Sequence, residues 1–331
     1  MNQNNRDVYY PQLNLLRGLA ALMVVVYHLT NHWDSVKGYF LPENDPLRRI
    51  GHYGHLGVFV FFVISGFVIP LSLYKGRYTV RSFFRFMFKR LVRLEPPYLV
   101  SICLILALSL FYHFTHGKPW AYDTERTFSH LLYLTPFTGH EWYNPIYWTL
   151  ALEFQFYILM ALLFPLLDHA QKWIRYSAFA AFCGSAYFFF DERFAVHYAP
   201  LFGMGIICFW YLTDRAGKWE LYLGAIGMLI FAWLRLDMLI MLSMIPTVIF
   251  ILYVRHDKPL SNRFGDISYS LYLTHGTVGG HILALSAIGI TALWLKYTMI
   301  AISIFVCLVF AYYFWKWIEK PAIAMSRKIK L

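Results

Sequence analysis

The chain has 331 residues, of which 59% are apolar and 20% are aromatic, while only 14% are charged. This composition excludes an ordinary water-soluble domain of this size, so lipid must surround much of the surface. The net charge of +11 gives no reason to expect nucleic-acid binding, because basic cytoplasmic loops beside anionic lipid headgroups account for it.

Long apolar runs predict an all-α, polytopic transmembrane bundle of about ten helices. The runs lie at 13–33, 54–74, 97–114, 146–167, 173–190, 194–212, 219–234, 238–254, 268–290 and 297–318. Residues 235–237 alone separate the seventh run from the eighth, so nine or eleven spans are the alternatives. Most of the 29 Lys and Arg residues fall on one side of this arrangement, which predicts that the N- and C-termini are both cytoplasmic.

The sequence contains no internal repeat and no flexible linker. We therefore expect a single membrane domain over residues 1–331, without a fused soluble domain. The basic segment 75–96 is then cytoplasmic, and the loops 34–53 and 115–145 are periplasmic. No sequence feature indicates the oligomeric state.

The first span contains two ionisable residues, Arg17 and His28. They are eleven residues apart, so they share one face of a helix and are separated by about 16 Å along its axis. Ala21 and Val24 lie between them on that face and leave room for a narrow chain. Because a charge inside a bilayer is costly unless it is paired or hydrated, we interpret both residues as functional, with His28 nearer the periplasm.

A basic stripe follows the second span, where Arg81, Arg85, Lys89 and Arg93 recur every four residues beside Arg90. This spacing predicts an amphipathic helix at the level of the lipid headgroups. Two interpretations are open and compatible: an anchor that keeps this segment in the cytoplasm, or a binding site for phosphate groups, which guanidinium groups bind with two hydrogen bonds.

Four histidines lie in or just before the loop 115–145, which we call the third loop region: His113, His116, His130 and His140. Their spacing is not that of a zinc motif, and no cysteine or set of carboxylates accompanies them. The four cysteines of the chain lie within apolar runs without a CxxC spacing. We therefore expect neither a metal site nor a disulfide.

The fourth span contains Glu153 at a depth that should match that of His28. We expect the two side chains to meet, since a carboxylate that is hydrogen-bonded to an imidazole fixes its tautomer and raises its basicity. The alternative is a buried pair that only holds two helices together. His275 in the ninth span is expected nearer the cytoplasm, and both a packing role and a functional role are open for it.

Five sequence elements, in this order, resemble the acyltransferase 3 family of integral membrane O-acyltransferases over nearly the whole chain. The elements are Arg17 to His28 (Arg-x10-His); Gly57-Val58 with Phe61-Phe62 and Ser65-Gly66-Phe67; Arg90 and Arg93 with Pro97-Tyr98; Trp148-Thr149-Leu150 with Glu153 and Phe156-Tyr157; and Ser268-Tyr269 with His275. Each element alone is weak, and the order of all five is specific.

The resemblance implies transfer of an acyl group, commonly acetyl, from cytoplasmic acetyl-CoA to a hydroxyl of a cell-surface or exported glycan. It implies a multi-pass protein of the bacterial inner membrane, a glycan acceptor on the periplasmic side and no metal. The implied site residues are His28 as general base or acyl carrier with Glu153 and Arg17; Arg85, Arg90, Arg93, Ser65 and Gly66 at the coenzyme A; and Trp148, Tyr157, Tyr269 and His275 in substrate-contacting or structural roles.

The sequence departs from the family at two places. Phe59 occupies a position in the second span where many relatives have an acidic residue. Some relatives also have an extracytoplasmic hydrolase-like domain, which we do not expect here. The alternative functions are a proton-coupled transporter that uses Arg17, His28 and Glu153, and a non-catalytic scaffold. A transporter predicts repeated halves with broken helices, which the sequence does not contain.

Overall fold

The computed structural model describes residues 10–34, 38–254 and 258–330. These residues form an almost entirely helical protein, which confirms the predicted all-α class. The α-helices are α1 (Gln12–Thr30), α2 (Pro46–His52), α3 (Gly57–Lys75), α4 (Phe83–His116), α5 (Thr124–Leu131), α6 (Thr135–Thr138), α7 (Trp148–Leu167), α8 (Lys172–Ser185), α9 (Ala199–Leu212), α10 (Lys218–Arg235), α11 (Met238–Tyr253), α12 (Pro259–Asp266), α13 (Ser268–Ser286), α14 (Leu293–Phe314) and α15 (Lys320–Arg327). Two short antiparallel strands, β1 (Trp33–Asp34) and β2 (Gly38–Tyr39), pair with Trp33 opposite Tyr39.

Six helical segments of the described chain are long and apolar enough to cross a bilayer, so the protein is a multi-pass membrane protein. These segments are Gln12–Thr30, Pro46–Lys75, Val80–His116, Pro145–Leu167, Ala195–Leu212 and Leu293–Arg327. The other four predicted spans correspond to α8, α10, α11 and α13, which are shorter or less apolar. The count of ten spans and the cytoplasmic position of the termini stay predictions, and residues 1–9 lie outside the described residues.

The basic segment and the third predicted span form one helix. We predicted a separate amphipathic helix up to residue 96, whereas α4 continues for 34 residues through Pro96 and Pro97 and ends at His116. The capping residue Gly117 has a left-handed φ of 63°. Prolines persist inside membrane helices because neighbouring groups compensate for the missing backbone donors. The Oη atom of Tyr269 donates to the Leu94 carbonyl at 3.2 Å, just before the proline pair.

Helix α1 lies in the centre of the fold, where it contacts α3, α11, α12, α13 and α14. Helix α3 packs closely against α9. Gly66 of α3 lies against the backbone of Phe202, and Gly205 of α9 lies against that of Val63. A methyl group at Gly66 would collide with the Phe202 carbonyl. Gly66, expected at the coenzyme A, is therefore a packing residue of the α3–α9 interface.

Candidate functional site

An internal cavity lies beside the Arg17 end of α1. Its volume is about 100 Å³, which is smaller than the pockets that usually enclose a whole ligand. Most of the site residues predicted from the sequence line it, although they come from five different helices. These residues are Arg17 from α1, Ser65 from α3, Arg90 and Arg93 from α4, Glu153 and Tyr157 from α7, and Tyr269 from α13.

Arg90 is the most buried cation of this cavity, with 5% of its surface exposed. Its guanidinium carbon lies 5.1 Å from the centre of the Phe86 ring and 5.3 Å from that of the Tyr157 ring. Its Nε atom has no hydrogen-bond acceptor among the described residues. A buried cation with an unsatisfied donor is destabilising unless a further partner binds it, so this end of the cavity is suited to an anionic or carbonyl-bearing ligand.

The carboxylate of Glu153 belongs to this cationic end. It accepts a hydrogen bond from Tyr157 and interacts electrostatically with Arg17 and Arg90. The negative charge partly balances the arginines, which lowers the energy of holding them inside the protein.

Glu319 is a further acidic residue of the site that the sequence motifs did not indicate. It is 2% exposed and accepts hydrogen bonds from the backbone N–H of Ser270 at 3.2 Å and from its Oγ at 2.6 Å. It also interacts electrostatically with Arg17. Glu319 lies on a π-helical turn after α14, a distortion that is frequent at functional sites. The sequence signal that could have identified Glu319 is its position as an ionisable residue at the end of an apolar run.

His28 and His275 form a second polar group at the other end of α1. The Nδ1 atom of His28 lies 3.0 Å from Nε2 of His275, and also 3.0 Å from the carbonyl oxygen of Val24. Nδ1 of the fully buried His275 lies 2.8 Å from the Tyr272 carbonyl and 3.1 Å from that of Leu271.

These contacts determine the tautomers of the neutral rings. Because a carbonyl oxygen only accepts, the proton of His275 must be on Nδ1, and its Nε2 must carry a lone pair. Nδ1 of His28 must then donate to that lone pair. The proton of His28 is therefore on Nδ1, and its Nε2 atom is left as a base or nucleophile.

The predicted hydrogen bond between Glu153 and His28 is wrong, and so is the predicted depth of His275. A hydrogen bond of 2.8 Å between the hydroxyls of Thr149 and Tyr272 shows the relative heights of α7 and α13. Along α7, Glu153 lies one turn from Thr149 towards the Arg17 end of α1. Along α13, His275 lies about one turn from Tyr272 towards the opposite end of the bundle. The carboxylate and the His28–His275 pair are therefore separated by roughly 10 Å along the bundle.

Tyr272 lies between the cavity and the histidine pair. Its ring lines the cavity, and the ring centre lies 6.0 Å from that of His275 and 6.0 Å from that of Phe61. The ring of Tyr272 therefore separates this end of the cavity from the histidine pair.

Three of the predicted residues lie elsewhere, namely Gly66 at the α3–α9 interface, Trp148 and Arg85. Trp148 packs in an aromatic cluster with Phe62 and Tyr198, at ring distances of 6.3 Å and 6.0 Å. Arg85 is exposed on the outer side of α4 and does not line the cavity. Within the described ranges, no three His, Cys, Asp or Glu side chains are grouped so that they could bind a metal ion.

The third loop region packs back onto the bundle through His130. This fully buried ring accepts a hydrogen bond at Nε2 from the backbone N–H of Tyr143, at 3.0 Å, and its Nδ1 lies 2.8 Å from the Arg126 carbonyl. Tyr133 of the same region stacks on Tyr98 and on Phe154, with ring distances of 5.4 Å and 4.6 Å. His130 is therefore a structural residue of the loop.

Residues 10–316 match a family model described as an acyltransferase domain. O-acetyltransferase OatA of Staphylococcus aureus is 30% identical over 50% of this chain, and peptidoglycan O-acetyltransferase OatA of Listeria monocytogenes is 28% identical over 46% of it. The chain spans only 26% and 23% of the length of these two relatives. A protein of the Acidianus two-tailed virus, named provisionally as an acetyltransferase, is 24% identical over 81% of this chain and 82% of its own length. No solved structure matches the chain with statistical significance.

Proposed function

Since the chain belongs to the acyltransferase 3 family, with the match covering residues 10–316, we propose that it is a membrane O-acetyltransferase. The donor is acetyl-CoA bound from the cytoplasmic side of the bacterial inner membrane, and the acceptor is a hydroxyl of a glycan on the periplasmic side. The names of the two OatA relatives support acetyl as the group transferred and a glycan such as peptidoglycan as the acceptor.

The observation that carries this proposal is the position of the cationic cavity next to the pair formed by His28 of α1 and His275 of α13. The cavity presents Arg17, Arg90 and Arg93 to a ligand, and Tyr272 at its other end contacts His275, the partner of His28. A donor that enters from the arginine end can therefore bring its thioester towards the imidazole, while an acceptor approaches from the opposite face.

His28 is the catalytic base of the proposed reaction. Its Nε2 accepts the proton of the glycan hydroxyl as the hydroxyl oxygen attacks the thioester carbonyl carbon. The C–S bond then breaks, and the proton passes from the imidazolium to the departing thiolate, which releases coenzyme A and the acetyl ester. The same lone pair could instead attack the thioester and form an acetyl-imidazole before transfer. In that route the thiolate leaves as the bond from Nε2 to the acetyl carbon forms. The glycan hydroxyl then attacks the acetyl carbon, the bond to Nε2 breaks, and the hydroxyl proton passes to the thiolate.

His275 is the positioning residue of this reaction, because its Nε2 accepts from Nδ1 of His28 and orients the ring. This is the role that we first expected of Glu153. In the revised proposal, Glu153 balances the charge of Arg17 and Arg90 and holds Tyr157 at the cavity wall.

The test uses the purified full-length protein in nanodiscs with acetyl-CoA and peptidoglycan fragments, and follows both free thiol and acetylated glycan. His28→Ala should lower transfer by about 10²- to 10⁴-fold, as expected for loss of a general base, and should keep acetyl-CoA binding. The matched control is His281→Ala, which removes a histidine of α13 that contacts Thr277 and Tyr112 instead of His28. Equal turnover of His28→Ala and wild type would exclude the proposed mechanism.

A transporter would give a different result in the same system. Uptake of a ligand into proteoliposomes without release of free thiol would favour the proton-coupled alternative. If the protein showed neither turnover nor uptake and His28→Ala kept its cellular function, the result would favour the non-catalytic scaffold.

A further inference from the structure

A second concave surface lies next to the cationic cavity. It is an open groove with a volume of about 530 Å³. Among the described residues, four cations line it and no acidic side chain does. These cations are Lys75 at the end of α3, Lys89 on α4, Arg327 at the end of α15 and Lys330 after it. We call this surface the basic groove.

The basic groove and the internal cavity adjoin each other. Val68 lines both of them. Helix α4 also joins them, because Lys89 faces the groove whereas the adjacent Arg90 faces the cavity. A ligand of sufficient length can therefore place one end among the exposed cations and the other end among the buried arginines.

The two parts have different chemistry. Lys75, Arg327 and Lys330 are exposed, so they can bind a highly charged group that stays hydrated. The cavity has mainly apolar walls from Phe61, Phe62 and Leu94 beside a few polar groups, which suits a neutral, narrow chain with isolated carbonyls.

We propose that the basic groove binds the phosphorylated nucleotide of the acyl-CoA donor, while the pantetheine arm passes Val68 into the cavity. This inference rests on the proposed function and names the subsite for the charged half of the donor. Coenzyme A fits both parts, because its nucleotide end carries a diphosphate and a 3′-phosphate, whereas its arm is uncharged and ends in the thioester.

This assignment changes the role of the arginines that we first expected to bind the phosphates. Arg90 is 5% exposed and lies too deep for a bulky, solvated nucleotide. Arg90 and Arg93 instead face the arm, where they can donate hydrogen bonds to its amide and thioester carbonyls. Arg85 is outside both the groove and the cavity.

A phospholipid headgroup has the same phosphate chemistry as the nucleotide, and the experiment must separate the two sources. We would measure the dissociation constants of coenzyme A, 3′-dephospho-coenzyme A and pantetheine for the full-length protein. The measurements use nanodiscs of phosphatidylcholine alone and nanodiscs that also contain phosphatidylglycerol. The test variant is Lys89→Gln with Arg327→Gln, and the matched control is Lys328→Gln, which removes an adjacent exposed charge that does not line the groove.

The double variant should bind coenzyme A roughly tenfold more weakly in both kinds of nanodisc, because it lacks two cations that bind the phosphates and solvent screens each of them. It should bind pantetheine as the wild type does, and the loss should be smaller for 3′-dephospho-coenzyme A. Lys328→Gln should bind all three like the wild type.

Two results would overturn the inference. One is unchanged coenzyme A affinity in the double variant, and the other is an effect confined to phosphatidylglycerol nanodiscs, which would assign the groove to a lipid headgroup. Either result with normal acetyl transfer by the wild type would leave the proposed function standing. Failure of the wild type to bind coenzyme A at all would instead reject the proposed function.

Discussion

His28 and His275 face each other across the interface of α1 and α13, with Nδ1 of the first ring 3.0 Å from Nε2 of the second. The backbone carbonyls of Leu271 and Tyr272 bind the remaining nitrogen of His275. The two carbonyls thus fix the tautomer of His275, and His275 in turn fixes the tautomer of His28. With Nδ1 of His28 engaged in this way, the basic Nε2 atom is the nitrogen that does not contact His275.

His275→Leu should lower kcat roughly ten- to a hundredfold, because the His28 ring loses the acceptor that orients it and holds its proton on Nδ1. The KM for acetyl-CoA should change little, since His275 does not line the cavity. His275→Gln should recover part of kcat, because its side-chain oxygen can accept from His28. Steady-state kinetics with both substrates would measure this split.

The control for this prediction is His281→Leu on the same helix, which should keep the wild-type kcat. A fall in kcat that is equal for His275→Leu and His275→Gln would contradict the orienting role. It would show that the histidine matters only for packing.

Glu319→Gln should lower the thermal stability of the protein and weaken donor binding. The amide can still accept from Ser270, but Arg17 loses the negative charge that interacts with it. The free energy of unfolding should fall by about 1–3 kcal/mol, the usual range for a buried polar group left without its partner. Thermal unfolding in detergent, with and without acetyl-CoA, would measure both effects. The exposed Glu192 provides the matched control, and equal melting temperatures for Glu319→Gln and Glu192→Gln would contradict the prediction.

The sequence predicted the helices well because each apolar run is long and has its own signal. A helix is present at all ten predicted positions, although six segments alone are long and apolar enough to span by themselves. It also indicated the charged residues that line the cavity, since Arg17, Arg90, Arg93 and Glu153 are ionisable groups inside apolar runs, and such groups need a polar interior.

The partners of these groups could not be predicted from the sequence. The pairing of His28 depends on how far α13 is shifted along α1, and the sequence of one helix does not determine the height of its neighbour. Our depth estimate counted residues from the predicted ends of spans, where errors of a few residues are usual. An error of one turn is about 5 Å, which is enough to exchange His275 for Glu153 as the partner of His28.

Gly66→Ala should destabilise the protein by at least about 1–3 kcal/mol, because the new methyl group would force α3 away from the backbone of Phe202. Activity should fall with the folded fraction, while the KM for acetyl-CoA of the folded protein stays the same. The matched control is Gly227→Ala in α10, where a methyl group meets no atom within 4 Å and should stabilise the helix slightly. A raised KM without loss of thermal stability in Gly66→Ala would return this glycine to the coenzyme A site.

The third loop region should become more mobile as the pH falls below about 6.5, the ordinary pKa of histidine. Burial is the largest influence that lowers the pKa of His130, and the nearby Arg126 and His140 act in the same direction. The folded loop therefore keeps the ring neutral, whereas an unfolded loop takes up the proton near pH 6.5. The stability that His130 contributes is complete above that pH and decreases below it.

Protonation would also turn the acceptor of the Tyr143 hydrogen bond into a donor, so the loop would lose its attachment. Hydrogen exchange of residues 124–143 at pH 7.5 and pH 5.5, corrected for intrinsic exchange, should show faster exchange at the lower pH. His130→Gln retains an acceptor that does not titrate, so its exchange should depend much less on pH. Equal protection of the wild-type loop at both pH values would contradict the prediction, because a ring held neutral by burial must lose stability when the solvent favours its charged form.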